Sequence, residues 1–384
     1  MDEPNYQITD STGTVIGEIG ATSDGDVVVE HAATGETATL GPSGLGVAQA
    51  NIGAISGVDA QPHQPRYQSY KSDFSWQDIS WEDKGGPIID GSGPGDGEAA
   101  WPTVIHAASV LDNSYDDWYC YWSTHDRNYI ALSTAPSPWG PWSYHGKVLS
   151  DSEGSQTASP SVVFDPERGR LNLYYHVDPD FTTGGAGKQY TKLATAASTG
   201  NGTSFTIQGA ALDAPEDANW DGHERSYMSV VRRGKRFIGV YQGRDKANNI
   251  KGIGLCHSID GETFVKSQSQ PAWDNTQWAG YDPTIPQGGS PALSLVGGHL
   301  TIHYADFQAA EARALPYESA DAALLQGGET VYTAPAWTDS GDTVVAQDFV
   351  SDGEYLYLVY FATPTDGVDN EIGVARAELG VDIG

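Results

Sequence analysis

The sequence predicts an all-β protein, and three observations carry that expectation. First, the 384 residues include 46 glycines and 21 prolines, a turn-rich composition, with no long stretch of helical periodicity. Second, 11 tryptophans, 20 tyrosines and an apolar fraction of 39% supply a sizeable core. Third, an apolar alternation that ends in an aromatic residue recurs as DDWYCYWS, GRLNLYYH, KRFIGVYQ, GHLTIHYA and EYLYLVYF. By subtraction, the aligned aromatics Trp122, Tyr175, Tyr241, Tyr304 and Tyr360 lie 53, 66, 63 and 56 residues apart. A period of that size, with several short strands per unit, is the pattern of a five-bladed β-propeller.

The elements follow in order. Residues 1–45 read as a β-hairpin segment, with strands in TVIGEIGA, DVVVEHA and ETATLG separated by the turn signals TSDGD and ATGE. So short a hairpin run buries too little apolar surface to stand alone. It is therefore expected to pair with copies of itself as a homo-oligomer, or to dock on another protein. Residues 46–78 begin small and Gly-rich, turn Pro-containing, and read as a linker. Residues 79–384 make the propeller. Each unit opens with an inner strand (WPTVIHAA, SPSVVFD, SYMSVV, SPALSLV, AQDFV), passes a turn into the aromatic-ended strand, and adds a third strand. PWSYHGKVL and TSFTIQGAAL are outer fourth strands of the early units. The fifth unit shows none before Gly384. The run SWEDKGGPII, residues 80–89, resembles PWSYHGKVL and is expected to supply it, which closes the ring and removes open sheet edges.

Asp and Glu number 51 against 20 Lys and Arg, a net charge of −31 spread along the chain. Phosphate contacts need lysine and arginine, so nucleic acid is excluded as a generic partner. An anionic membrane surface is disfavoured, and no apolar run reaches transmembrane length, so no membrane insertion is expected. Self-repulsion at this charge density is screened by concentrated salt, which points to a halophilic source. Cys120 and Cys256 lie inside apolar strand-like runs and are expected to be free buried thiols. The opening MDEPNYQITD is acidic and polar, unlike a signal peptide.

In a propeller the inner strands leave one face of the axis and the second strands return to it. Residues just before each inner strand and just after each second strand should therefore meet at one mouth. The first set holds Glu98 with Trp101, Ser159, His223 with Glu224 and Arg225, Ser290, and Gln347 with Asp348. The second holds His125 with Asp126, His176, Gln242 with Arg244, and Asp306. Carboxylates, Arg and His bond sugar hydroxyls while aromatic rings cover sugar faces, so a glycan or polysaccharide is the expected ligand. The candidate ligand-binding residues are Trp101, His176, His223, Arg225, Gln242, Arg244, Asp306 and Gln347. The column of aligned aromatics is expected to be core between sheets.

The runs NYIALSTAPSPWGPWSYHGKVL and SPSVVFDPERGRLNLYYH resemble those of five-bladed β-propeller glycoside hydrolases, the group of arabinanases, xylosidases and fructan-cleaving enzymes. The resemblance spans roughly residues 80–380 and implies three acids on the funnel: a base on the first blade, a pKa-tuning carboxylate on the second, and a proton donor on the third. Glu224 matches the third. WPTVIHAA has no acid, leaving Asp96 or Glu98 in the preceding loop, with Asp348 as a further candidate partner. TASPSVV has none either, the nearest being Glu153 and Asp165. Related propellers often hold a channel cation, calcium or sodium, although no spacing here specifies its ligands. TGTVIGEI and GDVVVEHAATGETATLG resemble attachment regions of virion appendages. The resulting expectation is a virion surface protein of a haloarchaeal virus, recognising host glycans through the mouth and held on the virion by residues 1–45. The alternatives are an active glycoside hydrolase, extracellular in a high-salt environment, with Glu224 as general acid, and a structural decoration protein.

Overall fold

The computed structural model describes residues 75–379 apart from 95–96, 126, 182–186, 214, 217, 246, 248–249, 268, 275–288, 297–298, 308, 318–327, 339–342 and 364–369. Before them it describes the strand residues 6–9, 15–21, 27–31 and 37–40. The chain divides into two compact units, Met1–Asp73 with Asp382–Gly384, and Phe74–Val381. In the smaller unit β1 (Tyr6–Thr9), β2 (Val15–Ala21), β3 (Val27–His31) and β4 (Thr37–Leu40) pair antiparallel in chain order. Of the expected linker, only residues 75–78 are described, and they pack within the larger unit. Glu329 accepts from the Ser75 hydroxyl and the Trp76 N–H, while the Trp76 ring meets His303 edge-on and Phe349 at a tilt.

The larger unit is built from antiparallel sheets. The first contains β6 (Ala100–His106), β7 (Trp118–Ser123), β8 (Ile130–Ala135) and β9 (Ser143–Leu149). The second contains β10 (Gln156–Asp165), β11 (Arg170–Asp178), β12 (Gln189–Ala197) and β13 (Thr206–Ala210). The third contains β14 (Glu224–Arg233), β15 (Arg236–Arg244) and β16 (Ile250–Ser258), edged by the short β17 (Val265–Lys266) and β18 (Trp273–Asp274), and a two-residue parallel bridge from β12 to β14 joins it to the second. A fourth contains β19 (Gly289–Val296), β20 (His299–Asp306), β21 (Glu311–Pro316) and β22 (Glu329–Thr333). The last contains β23 (Val345–Ser351), β24 (Tyr355–Ala362), β25 (Glu371–Glu378) and, from upstream, β5 (Glu82–Asp83). The first strands touch in turn, β6 to β10 to β14 to β19 to β23 and back to β6, so the sheets stand around one axis as a β-propeller.

Local chemistry explains why the ring holds. Adjacent first strands belong to different sheets, and side-chain oxygens tie them near the axis. Thr103 accepts from the Val162 N–H at 3.2 Å, Ser161 from Val230 at 3.0 Å, Ser229 from Leu293 at 2.9 Å and Asp348 from Val104 at 2.7 Å. Between sheets, Trp122, Tyr175, Tyr241, Tyr304 and Tyr360 are at most 1% exposed, so the aligned aromatics are core. Glycines in the third strands make room for two of them: a Cβ at Gly254 or Gly373 would fall 2.2 or 2.4 Å from the ring of Tyr241 or Tyr360. The ring closes as SWEDKGGPII leads one to expect. Glu82 and Asp83 pair with Arg376 and Ala375, and Ile89 bridges to Ile372. One oxygen of Asp83 accepts from the hydroxyls of Tyr332 at 2.6 Å and Tyr360 at 2.5 Å. Cys120 and Cys256 are free and buried.

Candidate functional site

Each first strand slips register near its start: between Ala100 and Thr103, Ala158 and Ser161, Ser226 and Ser229, Gly289 and Ala292, and Ala346 and Asp348. In four of these bulges a non-glycine residue takes a left-handed backbone: Trp101 (φ 50°), Ser159 (54°), Tyr227 (50°) and Ser290 (46°). Such conformations cost on the order of 1–3 kcal/mol each and cluster where a side chain must be re-aimed. The sequence marks three of these positions by a following proline, in WP, SP and SP. Tyr227 lacks that mark, and reading motifs alone overlooks it.

These residues gather at one end of the ring. The Trp101 ring lies 5.8 Å from Tyr227, 5.2 Å from Phe361 and 5.5 Å from His125, which stacks on it at 30°. Tyr227 lies 4.9 Å from His176. Aromatic groups of four sheets thus form a continuous floor. Polar groups adjoin it. Glu224 is fully buried; one oxygen accepts from the hydroxyl of Ser226 at 2.5 Å and the amide of Gln242 at 2.8 Å, and the other pairs with Arg244. A short parallel bridge, Gln189 to Glu224 and Tyr190 to Arg225, fixes the start of this strand against the second sheet. The Gln242 oxygen accepts from the Ser290 N–H, and the Gln347 amide donates to the Ser290 carbonyl. Glu98 is 7% exposed and accepts from the His125 N–H at 2.8 Å and the Asn370 amide at 3.2 Å.

Several buried polar atoms at this end have no hydrogen-bond partner among the described residues: Trp101 Nε1, Thr124 Oγ1, Ser159 Oγ and both nitrogens of His176. Burial, with smaller contributions from His125 and Arg244, pushes the His176 imidazole down to about 3 and keeps it neutral. Burial and the nearby Glu224 raise the Tyr227 hydroxyl, so it stays protonated. The end of the ring is therefore an aromatic floor edged by hydrogen-bonding groups, the Glu98 carboxyl and the Glu224–Arg244 pair.

The structure thus brings together Glu98, Trp101, His125, Ser159, His176, Glu224, Gln242, Arg244, Ser290 and Gln347. His223 joins through its backbone: its N–H donates to Arg244 and its carbonyl accepts from Gln189. Arg225 does not reach the mouth. Alternation along β14 turns it away from Glu224 and into a buried network, where Asp221 holds Arg225 at 3.0 Å, Lys266 at 3.1 Å and the Tyr241 hydroxyl at 2.9 Å. Asp306 is occupied by Arg313 at 3.0 Å and by the Ala309 N–H of its own turn. Asp348 carries the tie to Thr103 and Val104, and so works on the axis rather than as a partner carboxylate of Glu224. Asp96 and Asp126 lie outside the described residues. At the equivalent bulge positions of the first three sheets stand Trp101, Ser159 and Tyr227, none of them acidic. Among the described residues no three His, Cys, Asp or Glu side chains converge as a metal site, so the expected channel cation has no such ligand cluster there and no step is assigned to it.

Comparison with known proteins shows the fold. No family model matches the chain, and no curated protein matches it. Solved structures do. One titled a glycoside hydrolase superposes with a TM-score of 0.56 at 15% identity, covering 79% of this chain and 94% of its own. A GH43_1 enzyme from Xanthomonas citri gives 0.52 at 13%, covering 78% and 93%. An exo-1,5-α-L-arabinanase from a bovine ruminal metagenomic library gives 0.51 at 13%, covering 75% and 94%. The protein therefore has a glycoside hydrolase-like β-propeller fold. At these identities the likeness is one of architecture.

Proposed function

We propose that this is a carbohydrate-active propeller that takes a sugar residue at the mouth, against the floor of Trp101, Tyr227 and Phe361. The observation that carries the reading is the set of buried, unpartnered polar atoms around that floor: Trp101 Nε1, Thr124 Oγ1, Ser159 Oγ and His176. Buried polar groups need partners. A ring with an apolar face and several hydroxyls supplies partners for them and also covers the aromatic surface. The solved neighbours, several of them titled as carbohydrate-cleaving enzymes, support the same substrate class.

Two outcomes of binding are open to such a site. Recognition without cleavage is favoured by the placement of the acids. Glu224 is paired with Arg244 and bonded by Ser226 and Gln242, and the bulge positions of the first three sheets carry Trp101, Ser159 and Tyr227, none of them acidic. Hydrolysis is favoured by the titles of the neighbours and by the presence of both Glu98 and Glu224 at the mouth. In that reading Glu224 donates the proton and Glu98 serves as partner carboxylate. The full chain is incubated in molar salt with a polysaccharide panel, and binding and reducing-sugar release are measured together. Binding without release establishes recognition. Release abolished by Glu224→Gln establishes hydrolysis. Neither binding nor release sinks both. A place on a haloarchaeal virus surface, with residues 1–45 as the attachment, rests on the charge and the hairpin sequence alone. Immunogold labelling of purified virions tests it directly.

A further inference from the structure

A cavity of 310 Å³ lies at the seam of the first and last sheets and shares no residue with the mouth. One wall is the segment Pro87–Gly93, which runs from the closing strand toward the first sheet. The other wall is aromatic: Trp142 and Tyr144, with Trp122 behind them and its Nε1–H engaged by Ser133. The volume is at the lower end of small-ligand pockets and suits one sugar ring rather than a chain.

The first wall is built closely. A Cβ at Gly93 would fall 2.4 Å from Cγ and 2.5 Å from Cβ of Tyr144, so the backbone there passes close against the base of that side chain. Gly91 has a left-handed φ of 69°, and a Cβ on it would fall 2.3 Å from the Glu98 carbonyl oxygen. Side chains at either position would push the wall out of place. Asp90 accepts from the Ser92 N–H at 2.9 Å. The hydrogen bonds from Ser92 hold its carboxyl below the usual range, although burial works the other way, so an anionic acceptor stands at the rim.

Aromatic side chains lining the same cavity as a carboxylate and a serine match a ring that is apolar on one side and hydroxylated at its edge. A phosphorylated ligand is disfavoured by Asp90 and by the net charge of −31. We infer that this pocket is a second carbohydrate-binding site, taking a single neutral sugar residue between Trp142, Tyr144 and Asp90. It goes beyond the proposal for the mouth and does not depend on it.

The test uses the full chain labelled with 5-fluorotryptophan in molar salt, with the Trp142 resonance assigned through Trp142→Phe. The probes are xylotriose, arabinotriose, cellotriose and galactobiose, with glucuronic acid as the charged comparison. At least one neutral probe should shift the Trp142 resonance saturably. The shift should persist in the mouth variant Glu224→Gln and weaken roughly tenfold in Asp90→Asn, the loss of one charge-assisted hydrogen bond. Tyr144→Ala should weaken it likewise, and Asp90→Asn, at an exposed position, keeps the test decisive if Tyr144→Ala fails to fold. No shift with any neutral probe overturns the inference, as does a shift lost in Glu224→Gln and unchanged in Asp90→Asn.

Discussion

Mild acid should destabilise this protein through two buried histidines that pair with no acid among the described residues. His176 and His303 are 1% and 0% exposed, and burial drives each imidazole from 6.5 down to about 3. Between those values the unfolded chain binds protons that the folded chain refuses. Stability is therefore lost as pH falls below 6.5. From pH 7 to pH 5 each histidine costs about 2 kcal/mol, at about 1.4 kcal/mol per pH unit below 6.5. Asp348 acts in the opposite direction. Burial lifts its carboxyl from 3.8 to about 6 despite the bonds from Val104, Phe349 and Thr103, so its ionised form weighs against the native state at neutral pH. Acidification to pH 5 relieves about 1 kcal/mol of that. The net loss is about 3 kcal/mol, a large share of the roughly 5–15 kcal/mol that holds a domain folded. Urea unfolding at fixed molar KCl, at pH 7 and pH 5, reads it. His303→Gln also loses the bond with Ser294, so the informative quantity is the change between the two pH values, which should shrink by about 2 kcal/mol. His176→Gln should do the same. If both variants keep the wild-type dependence on pH, the buried histidines are not its source.

Asp83→Ala leaves the hydroxyls of Tyr332 and Tyr360 buried without their shared acceptor. It should cost about 2–4 kcal/mol in denaturant unfolding, and limited proteolysis should then cut between residues 75 and 99; an unchanged midpoint would mean that the closing strand does not bear on stability. Glu224→Gln strands the charge of Arg244 beside a neutral amide, and a loss of about 1–3 kcal/mol is expected. Arg244→Gln in the same background should restore part of that loss, which a purely steric effect would not permit. With a net charge of −31, thermal stability should rise with KCl well beyond the range that screens an ordinary surface; a midpoint flat in salt would contradict the self-repulsion argument.

The ring was legible because its cause repeats. An apolar alternation ending in Trp122, Tyr175, Tyr241, Tyr304 and Tyr360 is a local pattern, and each aromatic needs the same inter-sheet space. The closing strand was legible for the same reason, since SWEDKGGPII repeats the chemistry of PWSYHGKVL. The mouth was legible as a set of strand ends, and those ends do meet there. Which side chains face it was not legible. Glu224 and Arg225 are neighbours in sequence, yet alternation along β14 sends one to the mouth and the other to Asp221. Asp348 stands at a strand start like the others, yet its bulge is one residue shorter, and its carboxylate meets Val104 of the next sheet.

The sequence by itself determined the strands, their repeat, the turns between them, the acidic surface and the set of residues available at one end of the ring. Those properties depend on neighbours within a few positions or on composition. Only the tertiary structure decided which of those residues act together. Tyr227 joins Trp101 and His176 because bulges in two separate sheets turn their side chains to one point. The pocket of Asp90, Trp142 and Tyr144 exists only because the closing strand brings the start of the propeller beside its first sheet. Contacts between segments far apart in the chain leave no periodic trace in either segment, and so they become visible only when the ring is closed.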